Sequence, residues 1–189
     1  KALLEDQSAV DRHDMMYAEL LIVGPKADPA SIKGMVSAID AFKAIAASES
    51  LFISRGDKSG IYRIERRLWR EVKSDPDPAR DSWYTRTEAD MRTTLGLAAA
   101  KSAYTLTDMA TWLRFNNQRK LEILVSDDPR LMLRYVLLMP NPKKFPAVDE
   151  RNAKSLIEYL TSRAIQRQIG AFKIGGSLPF SPHYGLKDN

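Results

Sequence analysis

The sequence predicts an α/β chain, and two observations carry that reading. Short apolar runs of strand length, closed off by Gly, Pro, Asp and Ser, alternate with stretches whose apolar residues recur at helical spacing. The clearest pairing is Leu51-Phe52-Ile53, a polar turn Ser54-Arg55-Gly56-Asp57-Lys58-Ser59-Gly60, and then Ile61, Ile64, Leu68 and Val72 along one face of a helix. At 189 residues the chain makes one large domain or two small lobes, with length enough to bury a core.

Taken in order, residues 1–14 form a polar opening, with a short helix over Ala2-Leu3-Leu4-Glu5 and the charged run Asp11-Arg12-His13-Asp14. Residues 15–23 read as a long strand ended by Gly24-Pro25. Met35, Ile39, Phe42, Ile45 and Ala46 predict a helix over 31–47. Ser74-Asp75-Pro76-Asp77-Pro78 stops the helix that follows the polar turn, and Trp83-Tyr84-Thr85 is extended. A second helix covers 88–101, with Met91, Leu95 and Ala98 on one face and Thr93 and Thr94 on another. Residues 103–106 are extended, and Thr107 or Asp108 caps a helix running to about Phe115. As a helix cap Asp108 needs no catalytic role. Strands at 121–125 and 134–139 follow, then a helix over 149–160 with Ala153, Leu156, Ile157 and Leu160 on one face. Thr161-Ser162 restarts it, 165–172 continues, and 175–189 is a Gly/Pro tail.

Composition narrows the function. The excess of 29 Lys+Arg over 24 Asp+Glu gives +5, which suits nucleic acid, a membrane surface or a small anion. The basic residues are dispersed apart from Arg63, Arg66, Arg67 and Arg70, a solvated helix face, and the aromatics lack the basic interleaving of a nucleic-acid groove. Cysteine is absent and there are only two histidines, His13 and His183, so a zinc site of usual composition is excluded. Neither a Gly-x-Ser-x-Gly elbow nor a Walker loop occurs, and no metal or cofactor is expected.

The turn has chemistry of its own. The first N–H groups of a helix lack intrahelical partners and sit at the positive end of the macrodipole, so an anion is favoured there. Arg55 adds a fixed cation, Ser54 and Ser59 add hydroxyl donors, and Gly56 and Gly60 let a ligand approach the backbone. A plainer reading stands beside this one. Ser59 is then an ordinary N-cap and Arg55 pairs with Asp57.

Ser54-Arg55-Gly56-Asp57-Lys58-Ser59-Gly60 does not stand alone. Met16-Tyr17, Ile22-Val23-Gly24-Pro25 and Asp28-Pro29-Ala30 precede it, and Trp83-Tyr84 and Ala103-Tyr104-Thr105-Leu106-Thr107-Asp108 follow. In order and spacing, over nearly the whole chain, these blocks resemble the tungstate-binding periplasmic component of an ABC transporter. That family is a type II periplasmic binding protein, two α/β lobes closing on a solute. The resemblance implies no enzyme, a periplasmic or extracellular location, and two partners: a small oxyanion, tungstate or a relative, and the transporter's membrane component. It implies ligand contacts from Ser54, Arg55, Gly56, Asp57, Ser59, Gly60 and Ile61, with Thr94 behind them.

The expected fold is thus α/β and type II periplasmic-binding-protein-like, with one complete lobe and part of a second. Residues 1–20 would end the first lobe and cross over, with Ala18 and Glu19 as hinge positions. Residues 21–135 would form the second lobe with the turn, and 136–189 the return strand and the first lobe's last helices. Two departures matter. The family usually has Thr where this chain has Ile61, and it begins with a first-lobe segment carrying a Thr/Ser-rich turn, after which this chain starts. A homodimer or an N-terminal fragment would then complete the first lobe. The rival reading is a structural or interaction protein that kept the fold and lost the ligand. An enzyme acting on a phosphorylated substrate rests on the turn alone.

Overall fold

Strand β1 (Ala9–Pro25) organises the chain, and the computed structural model, which describes residues 2–116, 118 and 120–183, shows it contributing to two units. One unit is Glu19–Leu133; the other combines Lys1–Ala18 with Arg134–Asn189.

In the unit Glu19–Leu133, residues Leu20, Leu21, Ile22 and Val23 of β1 are fully buried, as the apolar run 20–23 predicts. Two antiparallel neighbours flank them. β4 (Thr105–Asp108) pairs from Leu20↔Asp108 to Val23↔Thr105, and β5 (Leu121–Val125) pairs across a register shift at Ile22/Val23. A second small sheet pairs β2 (Phe52–Ser54) in parallel with β3 (Tyr84–Arg86), Phe52 opposite Tyr84 and Ser54 opposite Arg86. Helices α2 (Ala38–Ala47), α3 (Gly60–Glu71), α4 (Met91–Lys101) and α5 (Met109–Leu113) complete the unit.

The centre of its core is aromatic. Trp69 of α3 lies 4.3 Å from the Phe42 ring of α2 and 5.2 Å, edge-on, from Phe52 of β2. Tyr84 and Trp83 close the cluster at ring distances of 6.2 and 5.7 Å from Trp69. Each such pair adds roughly 0.5–1.5 kcal/mol beyond area burial, so this cluster fixes α3 against both β2 and β3.

Several boundaries differ from the sequence expectation, each for a local reason. The helix expected from residue 31 begins at Ala38. Ser31 and Gly34 have φ of 54° and 81°, and Asp28 Oδ2 accepts from Lys33 N–H, so the chain turns repeatedly until Ser37 caps the helix. The helix expected from residue 88 begins at Met91, because Glu88 has φ 52° and the Asp90 carboxylate caps it by accepting from Thr93 N–H. The charged residues 11–14 of the polar opening belong to β1.

The other unit holds α1 (Ala2–Glu5), the first half of β1, most of β6 (Met132–Pro140), α6 (Glu150–Thr161), α7 (Arg163–Ala171) and β7 (Phe180–Pro182). β7 lies in the segment expected to be a surface tail. It pairs antiparallel with Met16, Tyr17 and Ala18 of β1, and residues 184–189 of that tail lie outside the described residues. Gln166 explains the pairing. Fully buried on α7, its amide donates to Met15 O and Leu160 O, and its Oε1 accepts from His183 N–H, which ties the end of β7 to α7. This unit leaves Leu156 and Tyr159 of α6 57% and 59% exposed, with Tyr135, Val136 and Phe172 also open.

Tyr104 supplies a test of the larger core. Fully buried, its hydroxyl donates to Asp28 Oδ1 at 2.7 Å and accepts from Ala30 N–H at 2.9 Å, holding the loop after β1. Tyr104→Phe strands the Ala30 N–H without its acceptor and is expected to cost about 1–3 kcal/mol, read as a lower urea midpoint at unchanged slope.

Candidate functional site

The polar turn connects the end of β2 to the start of α3. Ser59 is the N-cap: its backbone is extended and its Oγ accepts from Tyr62 N–H at 3.2 Å. Its own N–H donates to Asp57 Oδ1 at 3.0 Å, and its carbonyl accepts from Arg63 N–H. Among the described residues, no acceptor is paired with the N–H of Gly60 or Ile61, the first two of the helix.

Gly56 is required by both backbone and space. Its φ is 72°, and a Cβ there would come 2.8 Å from Arg86 Cβ. A Cβ on Gly60 would meet the Leu133 side chain at 2.7 Å. The turn is thus wedged between the end of β3 and the last residue of the unit.

Arg55 Nε lies 2.6 Å from Asp57 Oδ2, both side chains about a quarter exposed. That Nε has no aligned hydrogen-bond acceptor, so the contact is a close charge pair and not a directed bond. Asp57 is held below its ordinary pKa: burial pushes it up, but the two bonds from Ser59 and the Arg55 charge pull it down further. The Arg55 charge also helps to lower Asp90, whose main cause is the N–H of Thr93. Arg55 therefore already has an acid beside it.

The remaining expected ligand residues face inward. Ser54 is fully buried and its hydroxyl donates to Glu65 Oε2 at 2.8 Å. Ile61 is 5% exposed and belongs to the core cluster with Ile64 and Leu68. Thr94, also fully buried, donates its hydroxyl to Asp90 O, and its Oγ1 is 3.0 Å from that of Thr87, which bonds Arg55 O. The structure thus gathers Arg55, Gly56, Asp57, Ser59 and Gly60 at one turn. It sets Ser54, Ile61 and Thr94 behind it.

Sequence reasoning missed Glu65, Tyr84, Arg86 and Thr87. Glu65, on α3, is buried and accepts from Ser54 Oγ, from Tyr84 OH at 2.8 Å and from Trp69 Nε1 at 3.2 Å. Burial outweighs these bonds and pushes its pKa up to about 7. Since the folded value exceeds the unfolded one, the folded chain binds more protons between about 4.5 and about 7, and this group's contribution to stability falls as pH rises through that window. A signal existed: Glu65 stands four residues from both Ile61 and Trp69, on the stripe that the helix buries. Arg86 places its guanidinium 5.8 Å from the Tyr84 ring centroid, over its face.

The start of α3 thus presents N–H groups that are unpaired among the described residues and of the kind that receive anions, on an α/β unit. Residues 2–164 match the model of the PBP superfamily domain, and the chain belongs to that family. The structure of the tungstate binding protein TupA from Desulfovibrio alaskensis G20 superposes with a TM-score of 0.83 at 35% identity, over 96% of this chain and 74% of that one. The crystal structure of the tungstate ABC transporter from Geobacter sulfurreducens gives 0.77 at 37% identity, over 90% of this chain and 72% of that one. The tungstate-binding protein TupA of Peptoclostridium acidaminophilum is 32% identical over 179 residues, 92% of this chain and 61% of that protein. The chain spans 55% to 65% of the length of the curated relatives it matches.

Ile61 decides between two roles for the residue where the family carries Thr. Because it packs in the core, Ile61→Thr is expected to lower stability by about 1–2 kcal/mol, through lost apolar contact and a buried hydroxyl, without raising oxyanion affinity. A denaturation curve beside a binding isotherm measures both.

Proposed function

We propose that this protein is an extracytoplasmic solute-binding protein that captures a tetrahedral oxyanion, tungstate or a close relative, and presents it to the membrane component of an ABC transporter. The observation that carries the proposal is the 35% identity, over 96% of this chain, with a tungstate binding protein of the same fold. The turn supports it chemically: a guanidinium and two helix-start N–H groups can surround an anion, and nothing in the role requires a bond to be broken. Among the described residues, no helix is long and apolar enough to cross a membrane.

In this reading Arg55 and the N–H groups of Gly60 and Ile61 contact the anion. Gly56 and Gly60 keep the approach open, Ser59 fixes the helix start, and Asp57 orients Arg55 until the ligand replaces it. Ser54 and Thr94 shape the turn from behind.

Arg55→Ala in the full-length protein is expected to weaken oxyanion binding at least about tenfold, because hydrogen bonds to charged groups contribute about 1.5–3 kcal/mol. The Arg55 side chain is about three-quarters buried beside Asp57, so a denaturation curve on both proteins separates a loss of stability from a loss of binding. Calorimetry with tungstate, molybdate and sulfate on both proteins measures the binding, and equal binding by the two would remove Arg55 from the site. No binding by either would favour an interaction protein that kept the fold.

We further propose that a second copy of the chain or an N-terminal segment covers the unit Lys1–Ala18 with Arg134–Asn189, on the ground of the exposed Leu156, Tyr159, Tyr135 and Val136. Apolar side chains grouped on an edge strand and a helix are seldom left bare. Light scattering on residues 1–189 alone should then give a species larger than a monomer. A stable monomer would remove the proposal.

A further inference from the structure

Glu65 is a buried carboxylate that the binding reading does not use, and its surroundings are specific. Among the described residues three donors reach it, Ser54 Oγ from β2, Tyr84 OH from β3 and Trp69 Nε1 from its own helix, and no cation pairs with it, although the Arg66 charge acts on it from a distance. Arg66, the cation next to it in sequence, is engaged with Asp75 and Pro76 O, and Arg86 of β3 lies over the Tyr84 ring. The ionised form suits three donors, yet it leaves a negative charge in the interior directly behind a turn proposed to bind an anion.

We propose that Glu65 is the positioning residue of the anion-binding turn, and that it takes up a proton when an oxyanion binds. The inference rests on the oxyanion-binding reading given above. A serine hydroxyl has one hydrogen. While Glu65 is ionised, that hydrogen is committed to Oε2. Once Glu65 takes a proton from solvent, its new O–H can donate only to Ser54 Oγ or Tyr84 OH, because the indole Nε1 does not accept.

Donation to Ser54 Oγ frees the serine hydrogen, which then requires another acceptor. That hydrogen can pass to the Tyr84 hydroxyl oxygen, which lies within hydrogen-bond reach of Ser54, so the network takes up the proton without leaving a buried donor unpaired. Protonation removes the negative charge behind the ligand, and this favours the protonated carboxyl in the bound state. The raised pKa of about 7 places this exchange where neutral-pH experiments can see it.

The test is calorimetry with tungstate on the full-length protein between about pH 6 and about pH 8.5, in two buffers of different ionisation enthalpy. One linked proton gives an affinity that falls by up to about tenfold per pH unit above the free-state pKa, with net proton uptake on binding. Glu65→Gln, which stays neutral and can donate to Ser54 Oγ, should bind with little pH dependence and near the wild type's low-pH affinity.

Carbon NMR of the Glu65 carboxyl in the wild-type protein gives a second readout that does not depend on the variant's folding. Its titration should move to higher pH with tungstate present. Binding that is independent of pH with no proton uptake, a pH dependence retained in Glu65→Gln, or an unmoved carboxyl titration would overturn this inference and leave oxyanion binding intact. Failure of the wild type to bind tungstate, molybdate or sulfate at any pH would overturn both.

Discussion

A carboxylate in a dry interior must be hydrogen-bonded or it unfolds its surroundings, and in this chain one such group, Glu65, joins three elements. It receives Ser54 at the end of β2, Tyr84 in β3 and Trp69 one turn along α3, so strand pairing, helix placement and the turn between them meet at two oxygens. Two of those partners, Trp69 and Tyr84, belong to the aromatic cluster with Phe42, Phe52 and Trp83, and Glu65 is buried beside them. Removing water strengthens each bond and raises the penalty for any that is missing, so the polar knot and the apolar cluster depend on each other. The position of Arg55 in space is a consequence, since it is the residue after Ser54.

Much of this was legible from residue patterns. The period of Ile61, Ile64, Leu68 and Val72 gave α3, the unbroken run at 20–23 gave the buried half of β1, and Asp108 caps α5 as its residue type suggests. The turn was legible through composition alone, because Gly56 and the Ser59 cap have few alternatives there. Glu65 was not, although it occupies a core position of the α3 stripe. Charge outweighs position in a pattern search, and a glutamate amid Arg63, Arg66 and Arg67 reads as part of a solvated face. The partners that make its burial tolerable lie 11 residues before it and 19 after.

The same non-local logic explains where the expected site residues went. A serine or threonine near an anion-receptive turn looks like a ligand donor, but a hydroxyl points wherever a better acceptor waits. Ser54 finds Glu65 and Thr94 finds the carbonyl of Asp90, so both are spent on structure. β7 escaped notice for a related reason. Three residues in a Gly/Pro-rich tail carry no periodic signal, and their pairing is set by β1 and by Gln166 on α7, neither of which is nearby in sequence.

Asp57 adds a constraint on what the turn can bind. Its carboxylate sits against Arg55 and accepts the N–H of Ser59, so it occupies part of the positive potential that a ligand would use. A ligand must gain more from Arg55 and the free helix-start N–H groups than Asp57 loses by giving way. A single carboxylate offers the guanidinium little that Asp57 does not already supply. A compact tetrahedral dianion differs, because it can accept from the guanidinium and from several N–H groups at once, with charge dense enough to outcompete an internal monoanion. On the proposed oxyanion-binding reading, the internal acid would therefore work as a threshold that favours multivalent oxyanions over metabolite carboxylates.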